Sequence, residues 1–281
     1  MAAMPVSVVA QDSAYVRRIV CDLASPAMYG RGMQHRGDSI AADYLRSQLM
    51  ANGVNPLCEN YYQYFRFPQT RSKPPIVDAG YQSQNVCGYL PGESDTMIVF
   101  TAHYEHLGMN GDTIFYGAHD NASGTAAVMD LARMASLRHG HYTYVFLLFG
   151  GEESGLVGSR HFAENPLIDF SKVKLLVNID LFCGGDDGLM IVNANSEDTK
   201  PYVDLMERLN GQHHYAAKIA RRDNARNSDH YYFTAHCPAI FIYTLGGPFG
   251  GYHSPTDTCD GCGLANYHRH MTLIRIFLEQ L

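Results

Sequence analysis

Residues 142–158 read Tyr-Thr-Tyr-Val-Phe-Leu-Leu-Phe-Gly-Gly-Glu-Glu-Ser-Gly-Leu-Val-Gly, and this stretch decides the fold. Its first eight residues are bulky and uncharged, which is typical of a strand buried on both faces of a sheet. Two glycines and the acids Glu152 and Glu153 follow at once. Neighbouring side chains on a strand point to opposite faces, so both acids can serve one site only if the chain turns there, which glycine permits. An isolated pair of acids is usually a solvated loop, and four further segments argue against that interpretation.

Composition indicates an ordered globular protein of one large domain or two small ones, since 46% of the 281 residues are hydrophobic and 17% are charged. The net charge of −7, without a basic stripe, argues against a nucleic-acid or anionic-membrane partner. No apolar run approaches the roughly 18 residues of a membrane span. The 7 cysteines are an odd number, so at least one is unpaired or bonded to another chain. Cys259 and Cys262 form a single Cys-x-x-Cys motif, for which we expect a local disulfide or two buried thiols.

Residues 1–14 are a candidate signal remnant or arm. The first ten are small and apolar, and Val8-Val9-Ala10 before Gln11 resembles a signal-peptidase site. The segment lacks a basic start and a full apolar stretch. We therefore expect either an exported protein, periplasmic or secreted, or a cytoplasmic protein with a simple arm.

Strands alternate with helices from residue 96 onward. Strands are predicted at 97–100, 142–149, 173–179 and 239–243, and helices at 123–137, 155–165, 199–209 and 265–280. Before them we predict helices capped by Asp12 or Ser13 and by Asp38 or Ser39, then aromatic strands at 61–67 and 83–89 near a sheet edge. The alternation predicts one α/β domain over residues 1–281, with a mostly parallel mixed central sheet and helices on both faces.

Acids and histidines fall where these strands end. Ligands of open α/β sheets bind outside the carboxyl ends of the strands. The candidates at these ends, and at the start of the helix at 123, are His103, Asp120, Glu152, Glu153, Asp180 and His253. Convergent carboxylates repel one another unless a cation lies among them. Carboxylate and imidazole ligands suit zinc, with manganese or cobalt as alternatives, and two histidines with three carboxylates suit two metals about 3.5–4 Å apart.

Six motifs carry a resemblance to a known family: His-Tyr-Glu-His-Leu-Gly from His103, Asp-Asn-Ala-Ser-Gly from Asp120, Gly-Glu-Glu-Ser-Gly from Gly151, Asn-Ile-Asp from Asn178, Ser-Asp-His from Ser228 and Tyr-His-Ser-x-x-Asp-Thr from Tyr252. In this order they resemble the two-zinc exopeptidases typified by bacterial leucyl aminopeptidases, which are related to glutaminyl cyclases. The first ninety residues match only loosely.

This resemblance implies an aminopeptidase that binds two zinc ions and hydrolyses peptides. It implies these roles: Asp120 bridges the ions, His103 and Asp180 complete one site, Glu153 and His253 complete the other, Glu152 is the general base, Tyr252 steadies the oxyanion, and Asp229 and Asp257 orient ligands. It also implies a cis peptide bond between Asp120 and Asn121. The preferred substrate residue, the native metal and the oligomeric state are open.

One position departs from the family pattern. The family usually has aspartate two residues after the first metal histidine, and this chain has Glu105. The extra methylene shifts the carboxylate by more than an ångström unless the backbone compensates. Glu105 either orients His103 differently or points away and leaves that role to His106 or water.

Alternatives within and beyond the family stay open. A glutaminyl cyclase on the same fold would use one zinc, but cyclases have tryptophan before the zinc histidine, and this chain has Tyr252 there and no tryptophan. Some relatives are receptor ectodomains that have lost ligands, whereas every ligand position here is filled. A dipeptidase or carboxypeptidase could clamp a substrate carboxylate with Arg221 and Arg222, although such a pair is more often a solvated face. Six other histidines are expected to be exposed or half-buried: His139, His141, His213, His214, His268 and His270.

Overall fold

The computed structural model describes residues 11–67, 80–138, 140–247 and 251–281, and these contain six α-helices and eleven strands. The helices are α1 (Ser13–Leu23), α2 (Gly37–Ala51), α3 (Ser123–Ser136), α4 (Val157–Glu164), α5 (Lys200–His213) and α6 (Tyr267–Leu278). The strands are β1 (Asn55–Pro56), β2 (Tyr62–Arg66), β3 (Gln82–Leu90), β4 (Met97–His103), β5 (Met109–Asn110), β6 (Thr113–Ile114), β7 (Thr143–Phe149), β8 (Val173–Ile179), β9 (Gly188–Val192), β10 (Ile219–Arg222) and β11 (Ala239–Leu245). None of the described helices is long and apolar enough to cross a membrane.

Nine strands form one mixed sheet in the order β1-β3-β7-β4-β8-β11-β9-β10, with β2 paired to β3. The central strands β7, β4, β8 and β11 run parallel to one another. On either side, β3 is antiparallel to β7 and β9 is antiparallel to β11. The predicted α/β fold with a mostly parallel mixed central sheet is therefore confirmed, and the early aromatic strands lie at an edge as expected. The strands β1, β9 and β10 were not predicted.

Side chains of the central strands are buried on both faces of the sheet. Along β4, Ile98 and Phe100 pack into the apolar core that includes α1, α2, α3 and α6. Val99 points to the other face, where it joins a second core with Phe162 of α4 and Phe233. This alternation is why the central strands read as continuous apolar runs.

The first two helices begin differently from each other. The Asp12 carboxylate accepts hydrogen bonds from the backbone N–H groups of Ala14 and Tyr15 at 3.0 and 2.9 Å, so the predicted cap of α1 is confirmed and residues 13 and 14 belong to the helix. The predicted cap of α2 is wrong, because α2 begins at Gly37 and Asp38 lies in its first turn. Asp38 instead accepts a hydrogen bond from Ser83 of β3. Residues 1–10 of the candidate signal remnant lie outside the described residues.

Two disulfides anchor the segment that follows the Tyr252 motif. Cys259 is bonded to Cys21 of α1, and Cys262 is bonded to Cys183 in the loop after β8. The expectation of a local Cys259–Cys262 pair or of two thiols is therefore wrong, because each cysteine faces a different neighbouring element. The other cysteines of the described residues, Cys58, Cys87 and Cys237, are thiols.

Candidate metal centre

Three adjacent parallel strands deliver side chains to one edge of the sheet. His103, the last residue of β4, is paired with Phe149 at the end of β7. On the other side of β4, Thr101 is paired with Asn178 of β8, two residues before Asp180. This register brings His103, Asp180 and the acids beyond Phe149 to the same carboxyl edge, as the sequence predicted.

The chain turns sharply after β7. Gly151 has a φ of +73°, which L side chains rarely adopt, and the backbone then enters α4 through a turn that contains both acids. The acids diverge there. A carboxylate oxygen of Glu152 lies within 4.8 Å of possible ligand atoms of His103 and Asp180. A carboxylate oxygen of Glu153 lies within 4.8 Å of possible ligand atoms of His106 and Asp120 instead. The predicted turn therefore sends the two acids to the two halves of one site.

Asp120 is held in the connection that precedes α3. The Asp257 carboxylate accepts hydrogen bonds from the backbone N–H groups of His119 and Asp120, at 2.8 and 3.0 Å. The peptide bond between Asp120 and Asn121 is cis, as the resemblance implies. Asp257 therefore supports Asp120 through the backbone, in agreement with its expected role.

The Asp120 carboxylate faces two histidines. Its Oδ1 lies 3.4 Å from Nε2 of His103, and its Oδ2 lies 3.1 Å from Nε2 of His253. A second acid accompanies each histidine, because Asp180 Oδ1 is 3.3 Å from His103 Nε2 and Glu153 Oε2 is 3.1 Å from His253 Nε2. The five predicted ligands therefore form two sets of three residues that share Asp120.

The donor atoms around His103 fit a cation. Nδ1 of His103 lies 3.1 Å from Glu105 Oε2, so a proton there leaves the Nε2 lone pair facing the oxygens of Asp120 and Asp180. Burial lowers the pKa of His103, but the charges of Asp180 and Glu152 raise it by more, so its pKa is well above the usual value. The same negative charges that favour a proton on Nε2 would attract a cation in its place. Asp180 Oδ1 is buried and has no hydrogen-bond partner among the described residues. Nitrogen and carboxylate donors that converge in this way suit zinc.

The other half of the centre also places a histidine, His253, against two acids. Hydrogen bonds to Asp120 and Glu153 raise the pKa of His253 to about 10. His106, which the sequence offered only as a substitute for Glu105, instead places Nδ1 2.8 Å from Glu153 Oε1. His106 therefore orients the acid of this half, a role that only the fold reveals.

Glu105 resolves the departure from the family pattern. Its Oε2 contacts Nδ1 of His103, and its Oε1 accepts a hydrogen bond of 2.8 Å from the backbone N–H of Glu153. Burial raises the pKa of the Glu105 carboxyl, while the His103 contact lowers it. Of the two orientations expected from the sequence, the structure has the one in which Glu105 orients His103.

The two predicted catalytic groups differ in exposure. Burial raises the pKa of Glu152 well above its usual value, and the charge of Asp229 adds to the rise while His103 opposes it. A raised pKa is what a carboxylate needs in order to exchange protons near neutral pH. Tyr252 is 55% exposed and its ring stacks on that of His253, with 3.9 Å between the ring centroids. Tyr252 therefore lies on the open side of the centre.

Ser228 supports Asp180. Its hydroxyl donates a hydrogen bond of 2.8 Å to Asp180 Oδ2 and accepts one from the Asn178 side chain. The neighbouring Asp229 is fully buried, and burial raises its pKa to about 7. Within the described part of the chain no hydrogen bond links Asp229 to a predicted ligand, so the expected support comes from Ser228 instead.

One open alternative and one expectation fail. Arg221 is bound by Glu207 and Asp204 of α5, and its strand β10 is the outer strand of the sheet, so it is not free to clamp a substrate carboxylate. Arg222 is exposed on the same strand, as in the alternative of a solvated face. His270 was expected to be exposed or half-buried and is 1% exposed, because it lies on the buried face of α6.

Comparisons with known proteins identify the family of the chain. Residues 85–278 match the model of Peptidase family M28. The probable glutamate carboxypeptidase VP8 of Zea mays is 28% identical over 223 residues, which cover 70% of this chain and 30% of that protein. The probable leucine aminopeptidase of Trichophyton verrucosum is 24% identical over 221 residues, which cover 75% of this chain and 61% of that protein. The chain thus spans less than two thirds of either relative.

Solved structures share the fold at low identity. The Zn-dependent exopeptidase from Parabacteroides distasonis aligns with a TM-score of 0.77 and 16% identity, over 96% of this chain and 99% of that one. Bacteroides thetaiotaomicron glutaminyl cyclase bound to N-acetylhistamine aligns with a TM-score of 0.74 and 14% identity, over 95% and 97%. These two alignments show that the chain has the same fold as these proteins.

Proposed function

The chain belongs to peptidase family M28, and on this premise we propose that it is a two-zinc aminopeptidase that removes the amino-terminal residue of peptides with Glu152 as general base. The position of Asp120 carries the proposal, because its two oxygens face His103 and His253 separately. Relatives named probable zinc metalloprotease and probable leucine aminopeptidase support zinc as the metal and a peptide as the substrate.

The residues divide between the two ions. One ion would be held by His103, Asp120 and Asp180, and the other by Asp120, Glu153 and His253. When bound, zinc supplies Lewis acidity that polarises a carbonyl and lowers the pKa of water towards neutrality. Two dications also explain why acids can crowd into a buried site, since like charges at this range otherwise repel one another.

Glu152 is proposed to move the proton. It takes a proton from the attacking water and delivers it to the departing amine, so one carboxylate serves as base and then as acid. Its burial and its place beside His103 and Asp180 support this role. The hydroxyl of Tyr252, on the exposed side, would donate a hydrogen bond to the oxygen that gains negative charge.

Glutaminyl cyclase is the second candidate, because cyclases share the fold along nearly the whole chain. A one-zinc site does not require a carboxylate that faces two histidines, and Tyr252 stands where cyclases carry tryptophan. Carboxypeptidase action, suggested by the name of the maize relative, would need a cation for the substrate carboxylate. Arg221 is held by Glu207 and Asp204 and cannot serve.

Metal analysis combined with a substrate panel tests the proposal. We expect two zinc ions per chain, hydrolysis of aminoacyl-nitroanilides, and no hydrolysis of the N-acetylated forms, which serve as the matched control. One zinc ion with cyclisation of a glutaminyl substrate would favour the cyclase. A chain that neither binds zinc nor turns over any substrate would be a non-enzyme relative.

We also propose that the chain works in an oxidising compartment, in the periplasm or outside the cell. The disulfides Cys21–Cys259 and Cys183–Cys262 support this location, because disulfides persist in such compartments and are rare in the cytosol. Cell fractionation with an antibody against the chain tests it. Recovery from the cytosolic fraction alone would contradict the proposed location.

A further inference from the structure

Arg31 lies directly behind the metal centre, in a segment that the sequence presents only as a loop. Its side chain is 0% exposed, which is unusual for arginine. Within the described residues, all hydrogen bonds of its guanidinium group go to backbone carbonyl oxygens: Nε donates to Tyr104 at 2.6 Å, Nη1 to Leu23 at 2.8 Å and Tyr116 at 2.6 Å, and Nη2 to Gly117 at 2.7 Å and Asp120 at 3.4 Å. These contacts use every N–H of the guanidinium group.

The charge of Arg31 has no acid beside it. None of the ion pairs within the described ranges includes this guanidinium. Burial lowers the pKa of Arg31 to about 10, while the more distant charges of Asp257 and Asp120 raise it, so the group stays protonated near neutral pH. A buried cation is unfavourable unless opposite charge compensates it. The acids of the metal centre supply that compensation from the other side of the Asp120 loop.

Apart from that of Leu23 in α1, the carbonyl oxygens that Arg31 binds belong to the two segments that form the centre. Tyr104 directly follows His103, and Gly117 lies in the connection that carries Asp120. One planar group therefore joins the end of β4 to the bridging acid. The rigid fork of arginine fixes such geometry better than a flexible ammonium group does.

The backbone next to Arg31 packs closely against the loops that precede Asp120. Gly30 has a φ of +62°, and a Cβ atom there would lie 2.3 Å from the carbonyl oxygen of Gly108 and 2.6 Å from that of Phe115. The carbonyl oxygen of Gly30 accepts a hydrogen bond from Gly108 at 3.1 Å. Glycine at this position therefore lets the segment reach the loops behind the centre.

We propose that Arg31 is a positioning residue for the metal centre: its rigid guanidinium group sets the spacing between His103 and Asp120 before metal binds. Among the hydrogen bonds of the described residues, none joins Arg31 to a ligand side chain, so Arg31 acts through the backbone of Tyr104, Gly117 and Asp120. The inference rests on the proposed two-metal function.

Cobalt titration of the metal-free protein tests the proposal, because the visible spectrum of Co²⁺ reports the geometry of its ligands. We expect Arg31→Met to weaken cobalt binding by about 10–100-fold and to change the spectrum, as loss of a supporting contact does in other metal sites. Arg31→Lys can still donate hydrogen bonds to some of these carbonyl oxygens but lacks the planar fork, so it should restore part of the affinity. Arg221→Met removes an arginine from the outer strand β10 and should leave both readouts unchanged.

Circular dichroism with and without zinc separates this role from a role in folding. A variant that folds only when zinc is supplied supports the proposal, because the metal then does the positioning. An Arg31 variant that folds and binds two cobalt equivalents with the wild-type affinity and spectrum would overturn it. So would failure of both variants to fold under either condition. If the wild-type chain binds no cobalt, the result contradicts the proposed two-metal function, on which the role of Arg31 depends.

Discussion

Glu105 contacts His103 and Glu153 at the same time, with Oε2 3.1 Å from Nδ1 of His103 and Oε1 2.8 Å from the backbone N–H of Glu153. One carboxylate thereby orients a proposed ligand in each half of the centre. The related exopeptidases usually have aspartate at this position. The longer side chain of glutamate allows both contacts from the backbone of this chain.

Shortening Glu105 should weaken metal binding. In Glu105→Asp the carboxylate retracts and one of its two contacts is lost, so we expect zinc affinity to fall by about 10–100-fold. Competition with a chromophoric chelator measures the change. Glu93→Asp alters an exposed acid near His141 and is the control, for which the affinity should not change. If Glu105→Ala binds zinc as tightly as the wild type, Glu105 does not support the site.

Glu152→Gln should separate metal binding from turnover. The amide keeps the size of the side chain but cannot accept the proton, so we expect turnover to fall by about 10²–10⁴-fold while two zinc ions remain bound. Steady-state kinetics on an aminoacyl-nitroanilide, together with metal analysis, gives both quantities. Glu164→Gln, on the exposed end of α4, should behave as the wild type. Full turnover by Glu152→Gln would remove the general-base assignment.

The disulfide pattern predicts a thiol count. The sequence has 7 cysteines, and two disulfides leave Cys58, Cys87 and Cys237 as thiols, so the unreduced, denatured chain should react with three equivalents of a thiol reagent. Replacing Cys21 and Cys259 by alanine should lower the free energy of unfolding by about 2–4 kcal/mol, because the cross-link no longer restricts the unfolded chain. Seven reactive thiols in protein purified without reductant would contradict the pairing.

Buried His270 predicts a loss of stability in acid. Burial, and secondarily the charge of Arg269, lowers its pKa to about 4, so the folded state keeps the ring neutral while the unfolded chain binds a proton near pH 6.5. Its stabilising contribution is therefore complete above pH 6.5 and decreases as the pH falls towards 4, by roughly 3 kcal/mol.

His270→Gln removes this titration. Urea unfolding at a series of pH values should then show a smaller decrease between pH 6.5 and 4 than in the wild type. His268→Gln, which replaces an exposed histidine of the same helix, is the matched control. Equal slopes for His270→Gln and the wild type would show that His270 does not carry the effect.

The centre of the fold could be predicted because its signals are local. The long apolar strands β7 and β8 were predicted over nearly their full lengths, and the parallel order of such strands brings their carboxyl ends together. That rule alone placed His103, Asp180 and the acids after β7 at one edge. The short strands β9 and β10 were not predicted, and β10, with two arginines among its four residues, carries no strand pattern.

The contacts that support the site could not be predicted, because they join segments that are distant in the sequence. Neither disulfide partner of Cys259 or Cys262 follows from spacing. Arg31 sits among glycines in an apparent loop, and nothing local shows that it is buried. Ser228 was visible as part of a motif, but only the fold brings its hydroxyl to Asp180.

Anomalous diffraction at the zinc edge, from crystals of zinc-loaded protein, tests the two-metal assignment most directly. We expect two peaks, one on each side of Asp120, each about 2.0–2.2 Å from one of its oxygens. His103 and Asp180 should contact one peak, and Glu153 and His253 the other. A single peak, or two peaks of which only one touches Asp120, would contradict the assignment.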